Sequence, residues 1–163
     1  MKNKKKSKKI NWGRLIFSII LAQLAGIIGS LATTPNIAIW YSTIIKPSFS
    51  PPNYLFGPVW IILYTLIGIA FYLVWQSTNS DKKRIAMKLF IIQLILNSLW
   101  SIIFFRFHNI PFAFIEIIFL WLAIIGTTIY FFKVSKPAGW ILIPYLLWVT
   151  FAAILNYSIM ILN

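Results

Sequence analysis

The chain has 163 residues, of which 60% are hydrophobic and only 10% are charged, and it contains no cysteine. A water-soluble domain needs about 25% charged residues to cover its exterior, so the composition argues against one. Without cysteine there are no disulfides, thiolate metal sites or cysteine nucleophiles. The net charge of +13 lies in clusters beside apolar segments, which is typical of residues facing anionic lipid and not of a nucleic-acid-binding face.

The apolar residues form runs that match, as helices of about 20 residues, a hydrocarbon core about 30 Å thick. Helices are favoured because a spanning segment must satisfy its own backbone polar groups, and the period-two pattern of a membrane barrel is missing. We predict an all-α membrane protein, a bundle of five transmembrane helices in one domain over residues 15–163, after a basic tail over 1–14. The predicted spans are about 15–34, 57–76, 85–105, 111–132 and 138–162.

The first span allows a second interpretation. Lys2 to Lys9 followed by an apolar run resembles a secretory signal peptide, with small residues at 29–32 for cleavage. The run is about 18 residues long, whereas the apolar part of a signal peptide has about 7–15. A retained helix is favoured, and cleavage is the alternative.

The first loop, over residues 35–56, is rich in proline and aromatic residues. Its prolines prevent one continuous helix, because each lacks an N–H donor and disfavours helix at the preceding residue. We predict a structured cap over one end of the bundle. Within the last span, Pro144 predicts a kink. The loop residues concerned are Pro35, Pro47, Pro51 and Pro52, with Trp40, Tyr41, Phe49, Tyr54 and Phe56.

The basic residues predict an orientation in the cell membrane. With the N-terminus in the cytoplasm, thirteen of the fifteen lie on the cytoplasmic side, and only Lys46 and Arg106 lie outside. Because basic loops stay inside, the proline-rich loop is predicted to face outward.

Three spans carry aromatic residues on one helical face, and two of these faces include an amide. Polar and ionisable residues within a span are costly in lipid and usually face the bundle interior. Tryptophan needs a partner for its indole N–H when buried, so converging indoles and one amide favour a pocket for a flat, apolar ligand. The alternative is that the stripes only pack the bundle. The stripes are Trp60, Tyr64, Gly68, Phe71, Tyr72 and Trp75; Gln93, Asn97, Trp100, Ser101 and Phe104; and Tyr145, Trp148, Ala152, Leu155 and Asn156.

Other features are open to more than one interpretation. Glu116 is either a proton or cation site or, as we favour, a neutral carboxyl or a partner of Arg106 or His108. No His/carboxylate cluster predicts a metal site, and no Ser/His/acid set predicts a hydrolase. A small-residue stripe on the first span allows close approach of a helix from this chain or from a second subunit: Ala22, Ala25, Gly26 and Gly29.

Three segments together resemble the tryptophan-rich sensory protein family, relatives of the mitochondrial translocator protein (TspO, the peripheral benzodiazepine receptor). They are WYSTIIKPSFSPPNYLFGPVWIILYTLIGIAFYLVW from Trp40, QLILNSLWSIIFF from Gln93 and PYLLWVTFAAILN from Pro144. The resemblance covers nearly the whole chain from Pro35 onward. Departures are Phe49, where the family often has tryptophan, and the absence of Lys or Arg after Tyr157, which leaves sterol binding unsupported.

The resemblance implies a homodimer that binds porphyrins, haem or benzodiazepine-site compounds under the first loop, for sensing or transport and without a required cofactor. Light-dependent porphyrin degradation in the same pocket, with Trp60 and Trp148 as redox partners, is the alternative. A third possibility is an interaction protein whose partner binds the basic tail or the small-residue stripe. The ligand-binding residues implied are Trp40, Tyr41, Pro51, Trp60, Tyr64, Asn97, Trp100, Trp148 and Ala152.

Overall fold

The computed structural model describes residues 10–78 and 80–163, so most of the predicted basic tail lies outside the described residues. The described part is helical, and five helices are long and apolar enough to cross a membrane, as the sequence predicts. They are α1 (Trp12–Ile37), α2 (Asn53–Trp75), α3 (Asp81–Ser101, continued by a π-helical turn, Ile102–Arg106), α4 (Ile110–Val134) and α5 (Lys136–Leu162).

Three helices begin at a polar side chain that accepts a hydrogen bond from a backbone N–H of the first turn. Asn11 caps α1, Ser80 caps α3 and Asn109 caps α4, with acceptor distances of 3.1, 3.2 and 3.0 Å. Such caps satisfy N–H groups that have no partner within the helix. They fix the positions at which the chain enters the bundle.

The helix α1 extends past the predicted end at residue 34, because Pro35 lies in its last turn and removes only one helical bond there. Two side chains near this end donate hydrogen bonds to backbone carbonyls one turn earlier. The Thr33 hydroxyl donates to Gly29 O, and the Asn36 amide donates to Ala32 O. At the other side of the loop, α2 begins at Asn53, earlier than the predicted residue 57. The loop therefore spans 38–52 and not 35–56.

The loop is structured by its own backbone hydrogen bonds. The N–H groups of Trp40 and Tyr41 both donate to Asn36 O, and the N–H of Ser50 donates to Pro47 O. At the far end of the chain, the Asn163 side chain pairs with both backbone groups of Ile45 at 3.0 Å. These bonds hold the loop over one end of the bundle, which agrees with the predicted cap.

The helices form a ring in the order α1, α2, α5, α4, α3, in which each packs on its two neighbours. Close approach of α1 and α2 depends on Gly68, since a Cβ atom there would lie 2.6 Å from Ile19 Cα. On α1, a Cβ at Gly26 would meet the Tyr64 ring and one at Gly29 the Ser101 side chain. The predicted small-residue stripe is thus used within the chain.

The end of α3 widens into the π-helical turn, in which Phe107 N donates to Ile102 O. A π-helical turn accommodates one extra residue and often marks a functional region. Here it turns both Phe104 and Phe105 toward the bundle interior, where they are buried. Large apolar side chains cover the outside of each helix, as expected for contact with lipid.

Candidate ligand pocket

A cavity of about 410 Å³ lies inside the half of the bundle nearest the first loop, and all five helices contribute to its wall. Its volume falls within the range of about 300–1,000 Å³ typical of small-molecule sites. Seven of the nine predicted ligand-binding residues lie in this wall: Tyr41, Trp60, Tyr64, Asn97, Trp100, Trp148 and Ala152.

Trp40 and Pro51 are not part of the wall. The indole of Trp40 stacks on the His108 ring with 4.4 Å between centroids and contacts the edge of Phe104 at 5.3 Å. The turn directs Tyr41 into the cavity and the preceding residue, Trp40, to the side. Pro51 lies half-buried in the loop. The ring contacts of Trp40 give this residue a role in holding the loop.

The aromatic side chains of the wall are held by neighbouring rings. Trp60 stacks on Tyr64 with 5.3 Å between centroids, and Trp100 stacks on Phe104 at 5.1 Å. The Trp100 indole N–H donates to Asn156 Oδ1 at 3.0 Å, so the requirement for a partner is met within the bundle. The wall is therefore mainly apolar and flat, with few polar groups.

Two of the polar side chains in the wall, Tyr64 and Asn97, belong to a hydrogen-bonded chain that leads down from the cavity. The Tyr64 hydroxyl donates to Asn97 Oδ1, Asn97 Nδ2 donates to the Tyr145 hydroxyl at 2.9 Å, and Tyr145 donates to Gln93 Oε1 at 2.7 Å. Tyr64 and Asn97 line the cavity, whereas Gln93 and Tyr145 are buried beneath it. Gln93, whose predicted role was open between packing and ligand binding, is thus a member of the interhelical network.

The three aromatic stripes do not all run along the cavity. On α2, Trp60 and Tyr64 line it, but Phe71 stacks on Phe90 at 4.1 Å in the core. Further down, the Tyr72 hydroxyl accepts a hydrogen bond from Asn11 N at 3.0 Å. The upper half of the stripe serves the pocket, and the lower half packs the bundle.

Sequence reasoning missed the contribution of α1. Gln23, Ser30 and Thr33 line the cavity, with spacings of seven and three residues that place them on one helical face. The spacing of these polar residues indicates an inward face, but the small residues beside them on α1 indicate helix packing equally well. Near the loop, Asn53 and Phe56 of α2 also belong to the wall.

The wall is incomplete between α1 and α2. Ile27 and Ser30 of α1 and Ile61 of α2 line the cavity and are also exposed on the outside of the bundle. Below them, the Gln23 amide bridges the two helices by donating to Ile61 O and Thr65 Oγ1, both at 3.0 Å. The gap forms a lateral window on the face of the bundle that meets lipid.

Two ionisable side chains near the cavity have different surroundings. His108, which has a φ of 53°, lies within 3.2 Å of Asn36 Oδ1 and stacks on Trp40. Glu116 is buried, and neither Arg106 nor His108 is its hydrogen-bond partner among the described residues. The predicted pairing of Glu116 with one of those two residues is therefore wrong. The other alternative that we favour for Glu116, a neutral carboxyl, stays a prediction.

Tyr41 is the loop side chain that closes the cavity from above. Burial raises the pKa of its phenol, so the hydroxyl is neutral at physiological pH. The Lys46 ammonium lies 4.8 Å from the centroid of the same ring. Over residues 10–78 and 80–163, no group of three or more His, Asp or Glu side chains could hold a metal ion.

The fold and the cavity define a class: helical membrane proteins with five spans and an aromatic pocket beneath the first loop. The family model described as TspO/MBR family matches residues 18–162, and the chain belongs to this family. It is 42% identical over 150 residues to the tryptophan-rich protein TspO of Archaeoglobus fulgidus, covering 92% of this chain and 97% of the relative.

More distant relatives also match over most of the chain. The chain is 39% identical over 150 residues to the tryptophan-rich protein TspO of Chlorobaculum tepidum, covering 91% of this chain and 95% of the relative. It is 36% identical over 122 residues to the human translocator protein, covering 74% of this chain and 72% of the relative. The family resemblance predicted from the three segments is confirmed.

Proposed function

We propose that this protein binds porphyrins in the aromatic cavity, for sensing or transport across the membrane. The observation that carries the proposal is the convergence of Trp60, Trp100 and Trp148 on one cavity. Flat indole faces stack on a flat macrocycle, and such aromatic pairs contribute about 0.5–1.5 kcal/mol each beyond the area they bury. Haem and compounds of the benzodiazepine-site type suit the same wall, and no cofactor is needed.

The charge distribution supports one orientation of the ligand. The macrocycle would occupy the apolar interior, and its carboxylates would lie toward the loop, where Lys46 sits over Tyr41. The polar side chains that line the cavity among the described residues, such as Tyr64 and Asn97, are neutral, so a carboxylate deep in the cavity would lack a cationic partner.

The relatives' names contain the words sensory and translocator, and we expect either activity to need a ligand in this pocket.

We also propose that the protein forms a homodimer through lipid-facing helix surfaces, since the small residues of α1 are already packed against α2 and α3. Light scattering of the protein in detergent, with the detergent mass subtracted, measures this assembly.

The test of porphyrin binding is a titration of protoporphyrin IX against purified protein, followed by absorbance. The double variant Trp60→Phe/Trp148→Phe removes two indoles from the wall, and we expect its affinity to fall by about three- to tenfold. The matched control is Trp12→Phe/Trp140→Phe, because these indoles are 65% and 67% exposed and lie outside the cavity. Equal affinities of the two double variants would contradict the proposal.

A second candidate function is degradation of the bound porphyrin in light, favoured by the same two indoles beside the ligand. An excited porphyrin would exchange an electron with Trp60 or Trp148, and molecular oxygen would be the oxidant. Illumination of the complex with and without oxygen tests this. Bleaching no faster than with an unrelated tryptophan-rich protein would exclude it.

A further inference from the structure

The cavity wall contains a serine hydroxyl that forms no hydrogen bond with any described residue. It belongs to Ser101, the last residue of α3, which is half-buried. On the facing helix α1, Ser30 donates to Ile27 O at 2.8 Å and Thr33 donates to Gly29 O at 3.0 Å. A helical hydroxyl often bonds to its own backbone in this way, because leaving water without a partner costs free energy. The hydrogen of Ser101 is therefore available to another group.

Gly29 of α1 keeps this hydroxyl uncovered. A Cβ atom at Gly29 would lie 2.9 Å from Ser101 Oγ and 3.2 Å from Ser101 Cβ, so a side chain there would cover or displace the hydroxyl. Both residues line the cavity. The missing side chain at Gly29 thus leaves the Ser101 hydroxyl at the surface of the cavity.

Two further donors of the wall are also unused. The indole N–H groups of Trp60 and Trp148 have no acceptor among the described residues, whereas that of Trp100 donates to Asn156. Thr34 also lacks a described partner, but it is exposed at the loop end of α1. The helices α2, α3 and α5 each bring an unused hydrogen to one cavity. Because such donors normally find a partner when they leave water, this indicates a ligand that supplies acceptor atoms.

The acceptor beside Ser101 is expected to be neutral. Among the described residues of the wall there is no lysine, arginine or histidine, so a carboxylate at this position would have no cationic partner. A carbonyl oxygen accepts a hydrogen bond without carrying a charge. A carbonyl at the edge of a flat ligand therefore suits this side of the cavity.

We propose that the Ser101 hydroxyl donates a hydrogen bond to the ligand, so that the cavity prefers flat ligands, tetrapyrroles included, that carry a neutral carbonyl oxygen. Ser101 is a binding residue that determines selectivity, and Gly29 gives the ligand access to it. The inference rests on the proposed function, because it concerns which ligands the same cavity prefers.

The test compares two flat tricyclic probes of nearly the same size: fluorenone, which carries a carbonyl oxygen, and fluorene, which carries none. Their affinities are measured by quenching of tryptophan fluorescence for the full chain in nanodiscs of one lipid composition, so that partition into lipid cancels between variants. In Ser101→Ala we expect the ratio of fluorenone to fluorene affinity to fall about three- to tenfold, which corresponds to the loss of one hydrogen bond. The affinity for fluorene should not change.

The matched control is Ser98→Ala, the same substitution about one turn earlier on α3. The Ser98 hydroxyl donates to Ala25 O at 3.0 Å and to Leu94 O at 3.2 Å, and Ser98 is not part of the cavity wall. This variant should unfold at a lower content of dodecyl sulfate but keep the probe ratio, whereas Ser101→Ala should keep its stability and lose the ratio. Equal probe ratios in the two variants would overturn the proposal.

A second variant covers the hydroxyl without removing it. In Gly29→Ala the new Cβ atom would meet the Ser101 side chain, so the ratio of fluorenone to fluorene affinity should fall as it does in Ser101→Ala. If Gly29→Ala keeps the ratio of the unsubstituted protein, the proposed role of Gly29 is refuted.

The infrared spectrum of bound fluorenone reports the hydrogen bond directly. Its carbonyl band should lie at a lower wavenumber in the unsubstituted protein and in Ser98→Ala than in Ser101→Ala, because a hydrogen bond weakens the C=O bond. The same band position in all three proteins would overturn the proposal. If protoporphyrin IX does not bind the unsubstituted protein, the proposed function itself fails. Protoporphyrin binding without probe binding, or with a probe ratio that Ser101→Ala leaves unchanged, would refute only the role of Ser101.

Discussion

Asn97 joins three helices through its two amide atoms. Its Oδ1 accepts from Tyr64 of α2, and its Nδ2 donates to Tyr145 of α5 at 2.9 Å. An amide has the donor and acceptor capacity to satisfy two phenols at once. The same residue therefore shapes the polar part of the cavity and holds α3 to its neighbours.

Replacing Asn97 with leucine should destabilise the fold by about 1–3 kcal/mol, because two buried phenols each lose a partner. Unfolding in mixed micelles of increasing sodium dodecyl sulfate content measures this. Thr128→Val is the control, since the Thr128 hydroxyl bonds only to Ile124 O of its own helix. Equal losses in the two variants would mean that the interhelical bonds of Asn97 contribute little.

Gly68 lies where the backbones of α1 and α2 approach closely, whereas Gly126 on α4 has room for a side chain. A Cβ at Gly68 would lie 2.6 Å from Ile19 Cα and 2.9 Å from Ser18 O, both backbone atoms that cannot move alone. A Cβ at Gly126 would lie 3.5 Å from Leu89 Cδ1, which is an ordinary contact.

We expect Gly68→Ala to lower the free energy of unfolding by about 1–3 kcal/mol, because the two helices must move apart. Gly126→Ala should be neutral or stabilise by about 0.5–1 kcal/mol, since alanine favours the helix. The same micelle titration compares both. If Gly68→Ala leaves the free energy of unfolding unchanged, α1 can move away from α2 without loss of stability.

The sequence predicts the five helices because lipid requires long apolar segments, but it predicts their ends less well. The first turn of α2 begins at Asn53, before Gly57 and Pro58, since Pro52 precedes the helix and the turn lies outside the apolar run. Helical periodicity also placed Trp60, Asn97 and Trp148 on inward faces. It could not give the direction of Trp40, which depends on a turn, or the partner of Gln93, which lies on another helix.

At the scale of the whole molecule, the orientation in the membrane is a prediction from charge. The sequence has no cysteine, so a maleimide labels only a cysteine that is introduced by substitution. Ser48→Cys lies in the first loop and Thr78→Cys between α2 and α3, and both positions are exposed.

In intact cells, an impermeant maleimide should label Ser48→Cys at once and Thr78→Cys only after the membrane is opened, because the positively charged loops stay in the cytoplasm. Detergent-solubilised protein provides the control, in which both cysteines should react. Labelling of Thr78→Cys alone in intact cells would reverse the orientation.

The lateral window between α1 and α2 changes how binding to this pocket must be measured. Exposed Ile27 and Ile61 border it, so an apolar ligand that passes through it comes from the hydrocarbon and not from water. Such a ligand partitions strongly into lipid, since transfer of apolar surface out of water is favourable. The fraction of pockets filled then follows the number of ligand molecules per lipid, and adding empty bilayer at constant protein and ligand dilutes the ligand and empties the pocket.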